Sequence, residues 1–195
     1  MVRAVGGARV DEPAGRGLIT VPGSAVELLI DQHAIHETVL RYCRSVDRLD
    51  FAGVRGVYTT DGVDHHTGFS GPTDEYVEWI RGKLATFEGT THILSNHLSE
   101  VRHDEAVAQS YGTAVHWGSP RDHPARNFTT GFRYVDHFRR EGGVWLIAER
   151  FAVREWTRQE IGTFVSAEAP GPRGRRDRDD PLHLLRASVL GADRP

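Results

Sequence analysis

Two side chains in this chain have the types and settings to take a proton from carbon. Asp47 ends the helical segment RYCRSVD (Arg41–Asp47), and His92 starts the extended segment THILSNHLSEV (Thr91–Val101). Alternate side chains of a strand share a face, so His92 is expected beside Leu94, Asn96 and Leu98, toward an apolar interior. On the helix, Leu40, Cys43 and Asp47 fall at spacings of three and four, which sets the carboxylate at the edge of a buried stripe. Burying either group without a partner is expensive, so the pair is expected to meet in one cavity as an acid–base dyad. An imidazole with an ordinary pKa near ~6.5 exchanges a proton at neutral pH. A carboxylate on its second ring N–H fixes the tautomer and stabilises the imidazolium. The residues alone leave an alternative open: His92 bonded to a backbone carbonyl, with Asp47 capping the turn Arg48-Leu49-Asp50.

Other residues would complete such a site. His116 shares a strand face with Ala114, Gly112 and Ser110; facing inward it would protonate a leaving hydroxyl, and facing outward it is a surface histidine beside Trp117. Asn96 would bond a substrate oxygen or satisfy a neighbouring strand. Tyr42 and Tyr58 lie on apolar stripes, where a hydroxyl polarises a carbonyl, holds a water or is simply packed. Asp64, His65 and His66 are consecutive, and neighbours on a strand face opposite ways, so the two histidines do not join one metal site. One of them, taken as His65, is expected at the pocket entrance. His33 and His36 lack the glutamate of a zinc helix. Arg133 and Arg150 are expected in salt bridges with Asp136 or Glu149 on the outer sheet face, the alternative being an anionic ligand. Without a phosphate loop or dinucleotide fingerprint, neither cofactor nor metal is expected.

The elements that must position these groups follow from periodicity. Ser24 and Glu27 have capping-box spacing, and Ile35, Val39, Tyr42 and Val46 form a buried stripe in one kinked helix or two short ones running to about Leu49. Asp50 suits the cap of a short helix, Phe51–Tyr58. Val63–Phe69 is extended, and Thr73 or Asp74 opens a third helix to about Phe87, with Tyr76, Ile80, Leu84 and Phe87 inward and Trp79 beside them. From Thr91 the period changes to two, giving strands over Thr91–Val101, Ala106–Trp117, Phe128–Arg139 and Val144–Trp156, the last two joined by the turn REGG. Helices first and a strand meander after is an α+β order. The early helices are the cover available for one face of the sheet, which predicts a cone with a pocket between sheet and helices.

Composition sets the frame. The chain of 195 residues has a net charge of −3, 38% apolar residues, a mean hydropathy of −0.44 and one cysteine. That suits one domain at 18–165 between a loose extension (1–17) and a flexible tail (166–195) holding a helical turn over Leu182–Leu190. It gives no footprint for nucleic acid or an anionic membrane. A single Cys43 excludes an internal disulfide and fits a reducing compartment. With no basic-then-apolar leader and no membrane-length apolar run, a cytoplasmic location is expected.

Several stretches together resemble a known family. The helix ending RYCRSVDRLDFAGV with YTTDGV after it, the strand THILSNHLSEV, the pair GFRYVDHFRREGGVWLIAER and the closing Trp156 resemble SnoaL-like proteins of the nuclear transport factor 2-like superfamily, over residues 25–157. The resemblance implies a cone-shaped α+β barrel of mostly antiparallel sheet under three N-terminal helices, with a deep pocket, often a homodimer through the outer sheet face. Dehydratase and dehydrochlorinase members pair an Asp at the end of the long helix with a His at the start of the strand after the third helix, which match Asp47 and His92. The implied activity is a cofactor-free lyase on a small apolar, polyketide-like or steroid-like molecule. Isomerisation or cyclisation in the same pocket, a non-catalytic ligand-binding or assembly module, and the small subunit of a ring-hydroxylating oxygenase are the alternatives, because fold alone does not decide function.

Overall fold

A computed structural model describes residues 25–118, 127–159, 171–172 and 174–191. Residues 1–17 and the proposed cap Ser24 lie outside the described residues. The chain begins with α1 (Ala25–Arg48), a single 24-residue element whose buried side is Ile35, Thr38, Val39, Tyr42, Cys43, Ser45 and Val46. Leu40, expected on that stripe, is exposed; the inward face follows Val39 and Tyr42, and Leu40 falls to its side. The helix stops where Leu49 takes a left-handed conformation (φ 56°). Asp50 then caps α2 (Phe51–Gly56), its Oδ1 accepting from the Gly53 N–H at 2.9 Å.

The helix expected to reach Tyr58 gives way to strand β1 (Tyr58–His66), which hairpins into β2 (Phe69–Pro72). Helix α3 (Thr73–Leu84) buries Tyr76, Val77, Ile80 and Leu84. Four long strands follow: β3 (Gly89–Arg102), β4 (Glu105–Trp117), β5 (Phe128–Glu141) and β6 (Val144–Gln159). Gly142 and Gly143, both at positive φ, make the two-residue turn between β5 and β6, where a side chain at either position would be strained. Within the segment expected as a loose tail, Asp180 caps helix α4 (Pro181–Leu190). Nearby, Arg176 donates to the carbonyls of Leu84 and Phe87 at the end of α3.

The six strands form one curved sheet in the order β2-β1-β6-β5-β4-β3, antiparallel except where β1 runs parallel to β6. The sheet does not close, so the expected barrel is an open sheet whose edges are β2 and β3. Its inner face, with α1 and α3, buries a core that includes Tyr42, Tyr58, Tyr76, Phe132, Tyr134, Phe138 and Ile147. Among the described residues, no helix is long and apolar enough to cross a membrane.

Two of the sheet's irregularities decide where the expected site residues face. Residues Ser95 and Asn96 of β3 stand opposite Tyr111 alone, a β-bulge between the pairs Leu94–Gly112 and His97–Ser110. Inward alternation therefore runs His92, Leu94, then His97, Ser99 and Val101, which leaves Asn96 and Leu98 exposed. A second bulge, at Ala148 of β6, turns Arg150 into the core. Arg150 was expected on the outer face. It is fully buried and forms a two-pronged ion pair with Asp136, both bonds at 2.7 Å, its guanidinium lying between the rings of Tyr42 (4.2 Å) and Tyr134 (3.9 Å). Arg133 stays outside, bonded to Glu155 at 2.7 Å.

Candidate active site

Asp47 comes from the last turn of α1 and His92 from the start of β3, and their side chains meet. His92 Nδ1 lies 2.7 Å from Asp47 Oδ1. The same carboxylate accepts from the Thr90 hydroxyl at 2.9 Å and, through Oδ2, from the backbone N–H of His92 at 2.9 Å. Three donors thus fix the carboxylate before any substrate arrives, and none belongs to the turn Arg48-Leu49-Asp50. With Nδ1–H donated to Asp47, the ring presents Nε2 as an acceptor. Both side chains are nearly buried, at 10% and 13% exposure.

His92 looks into an open cavity of about 680 Å³ lined by α1, α3, β1 and strands β3 to β6. Such a volume suits a bicyclic or larger small molecule. Its walls are largely apolar and aromatic: Val46, Trp79, Ile80, Leu84, Phe87, Phe128, Phe132 and Tyr134. Gly112 leaves room for the cavity-lining Phe132 ring, because a Cβ there would sit 2.5 Å from that ring and 2.9 Å from the Ile93 carbonyl. His116 faces inward, stacked on Phe128 with ring centroids 4.2 Å apart and 6.1 Å from the His92 ring. That follows from pairing: Thr90 is opposite His116 and His92 opposite Ala114, so the two histidines are diagonal neighbours on one face. Burial, and then the nearby His92, push the His116 imidazole down to about 4. It is therefore neutral near pH 7, a hydrogen-bonding group rather than a charged acid.

The remaining expected residues divide. Tyr42 lines the cavity, its hydroxyl bonded to that of Tyr76. Tyr58 does not; it is buried behind the wall with its hydroxyl 2.6 Å from Asp64 Oδ2. Burial raises both phenols, so they stay protonated. Asn96 is turned away by the bulge. His65 points to the outer face, stacked on Phe151 and bonded to Ser70 (2.7 Å) and Glu149 (3.1 Å). Its neighbour His66 is the one that reaches the cavity. His66 has the strand parity of Asp64, whose burial no apolar pattern announces. Cys43 is buried and its thiol is pushed up to about 12, so it is a core residue and not a nucleophile.

With the geometry in hand, comparison with known proteins places the chain. The SnoaL-like domain model matches residues 27–151, and the chain belongs to that family. No curated protein matches the sequence. Among solved structures it is similar to a candidate scytalone dehydratase from Novosphingobium aromaticivorans (18% identity, 76% of this chain and 99% of that one, TM-score 0.64). It is also similar to the hexachlorocyclohexane dehydrochlorinase LinA-type3 from Novosphingobium barchaimii (15% identity, 73% and 99%, TM-score 0.62). A third is a candidate aromatic ring hydroxylase from N. aromaticivorans (20% identity, 68% and 95%, TM-score 0.59). At these identities the likeness is one of fold.

Proposed function

We propose that this protein is a cofactor-free lyase of the dehydratase type, acting on an apolar, ring-containing molecule with a leaving group next to an acidic C–H. The observation that carries this reading is the Asp47–His92 contact beside an open cavity that His92 faces. His92 Nε2 takes the proton from carbon, and Asp47 stabilises the imidazolium. The C–H electron pair becomes the new double bond, and the leaving group departs with its own pair. His116, neutral and 6.1 Å from His92, is placed to hydrogen-bond the departing hydroxyl. A pocket packed shut would have favoured an assembly module. Isomerisation or cyclisation uses the same first step, and product analysis separates them.

The first test needs no natural substrate. Exchange of the α-protons of 2-tetralone in D₂O, followed by NMR, reports carbon deprotonation directly. General-base help is worth ~10²–10⁴ in rate, so His92→Ala should slow exchange by about 10³-fold, with Asp47→Asn close behind. Exchange by the wild type no faster than buffer for any of a panel of such ketones, or His92→Ala as fast as wild type, defeats the proposal. We further propose that two copies pair through the outer sheet face, where Ile93, Leu98, Val107, Phe151 and Trp156 are exposed. Sedimentation of wild type against Val107→Arg tests it, a monomeric wild type being the contrary result.

A further inference from the structure

The cavity holds a second histidine–carboxylate pair. Asp64 and His66 sit two residues apart on the inner face of β1, with His66 Nδ1 bonded to Asp64 Oδ1. Asp64 is fully buried, and its other oxygen accepts from the Tyr58 hydroxyl at 2.6 Å. His66 keeps 20% exposure, and that exposure is to the cavity. Its ring stacks on Tyr76 with centroids 4.9 Å apart, and its Nε2 has one protein neighbour, the Tyr76 hydroxyl, at a slack 3.4 Å. A buried carboxylate is seldom the most stable filling for a core. Here the Asp64 side chain is spent on orienting one imidazole toward the open space.

His66 is not an extension of the first pair. Tyr134 and Phe132 stand between it and His92, in a chain of ring contacts at 6.3, 4.5 and 5.9 Å. Those two residues alternate on β5, their backbones ~7 Å apart along the strand. No proton passes directly between the two histidines, and a molecule that touches both must run past both of those rings.

We infer that His66 is a specificity-determining residue that accepts a hydrogen bond from a hydroxyl of the substrate, at the end of the cavity remote from His92. Nδ1–H is committed to Asp64, which leaves Nε2 as the ring nitrogen turned to the cavity, an acceptor when the ring carries a single proton. It therefore selects a phenolic or enolic O–H over a ketone or an ether. The substrate class is a hydroxylated aromatic, with its hydroxyl at the end of the cavity away from His92. This rests on reading the cavity as the substrate site, not on the elimination itself.

The test is equilibrium binding of 2-naphthol, 2-methoxynaphthalene and naphthalene to the full chain, read by fluorescence of the cavity residue Trp79 and its neighbours. The wild type should bind 2-naphthol several-fold more tightly than the other two, since a net hydrogen bond corresponds to roughly 2–12-fold. His66→Phe should remove that preference and leave naphthalene within about twofold. Asp64→Asn keeps the shape and gives His66 Nδ1 a donor in place of an acceptor, which moves the ring proton to Nε2. That variant should favour 2-acetonaphthone over 2-naphthol, an inversion that loss of packing does not produce. In wild-type protein, long-range ¹H–¹⁵N spectra should show the His66 Nε2 resonance moving when 2-naphthol is added. Equal loss of all three ligands in His66→Phe, or a 2-naphthol preference that disappears only with His92→Phe, overturns the inference. Because binding needs no turnover, failure of the exchange assay with the naphthol preference intact would sink the lyase reading and leave this one standing.

Discussion

Asp47–His92 and Asp64–His66 use the same chemistry and are built in opposite ways. The first joins residues 45 apart, one from a helix end and one from a strand, and locks the carboxylate with Thr90 and a backbone N–H. The second is a local pair on one strand, with a tyrosine behind it and slack in front. A carboxylate held by three donors from another element keeps its histidine in place while charge comes and goes, as a base requires. A local pair open on one nitrogen is suited to reading a ligand. On the proposed reading, that difference marks one end of the cavity for reaction and the other for recognition.

The deepest cut falls at the recognition end. Arg150 is the register partner of Asp64 across β1 and β6, and it is sandwiched by Tyr42 and Tyr134, which line that end. Asp136→Asn removes the carboxylate that is ion-paired to this buried guanidinium, a loss of roughly 3–5 kcal/mol. Urea unfolding should show it as a midpoint shift, and a shift near zero would mean that Arg150 finds another partner.

Smaller changes sharpen the contrast by removing one supporting hydroxyl from each pair. Thr90→Val should slow proton exchange about fivefold, because one net hydrogen bond is worth about 1 kcal/mol, and should cost no more than that in stability since Asp47 keeps two donors. Tyr58→Phe should do the reverse. It strips a donor from a fully buried carboxylate and should cost about 1–3 kcal/mol in urea, with the exchange rate on 2-tetralone nearly intact. Equal effects of the two variants in both assays would erase the division between the ends.

What the sequence disclosed follows the same division. Asp47 and His92 were legible because helix and strand periods each turn one residue inward and the family pattern links them. Asn96 was misplaced because a bulge adds one residue to β3 without any glycine or proline to mark it, and period-two reasoning fails beyond Leu94. Arg150 was misassigned for the same reason on β6. His66 was passed over for His65 because adjacent histidines differ only in strand parity, and the parity of β1 is fixed by Asp64, a residue that pattern reading puts in solvent. Charged groups buried as pairs carry no apolar signature, so the network under the recognition end was invisible until the strands were paired.

A histidine without a carboxylate supplies the control for both pairs. His97, on the inner face of β3 beyond the bulge, bonds its Nδ1 to the Ser110 hydroxyl at 2.8 Å and stacks on His36 at 4.7 Å. Its Nε2 is buried without a hydrogen-bond partner. Burial, and then His36, push it down to about 4. In the unfolded chain a histidine titrates near ~6.5. Between those values the unfolded state binds the extra proton, so stability drops as the pH is lowered across that window. The contribution is complete above pH 6.5 and is lost as the pH drops through 4. His116, shifted the same way, adds to the slope. His97→Gln should flatten the fall of the urea midpoint between pH 7 and pH 4.5 and leave part of it to His116. An unchanged slope in that variant would show that a hydroxyl partner protects the imidazolium as well as a carboxylate does, and the two Asp–His pairs would lose their claim to be special.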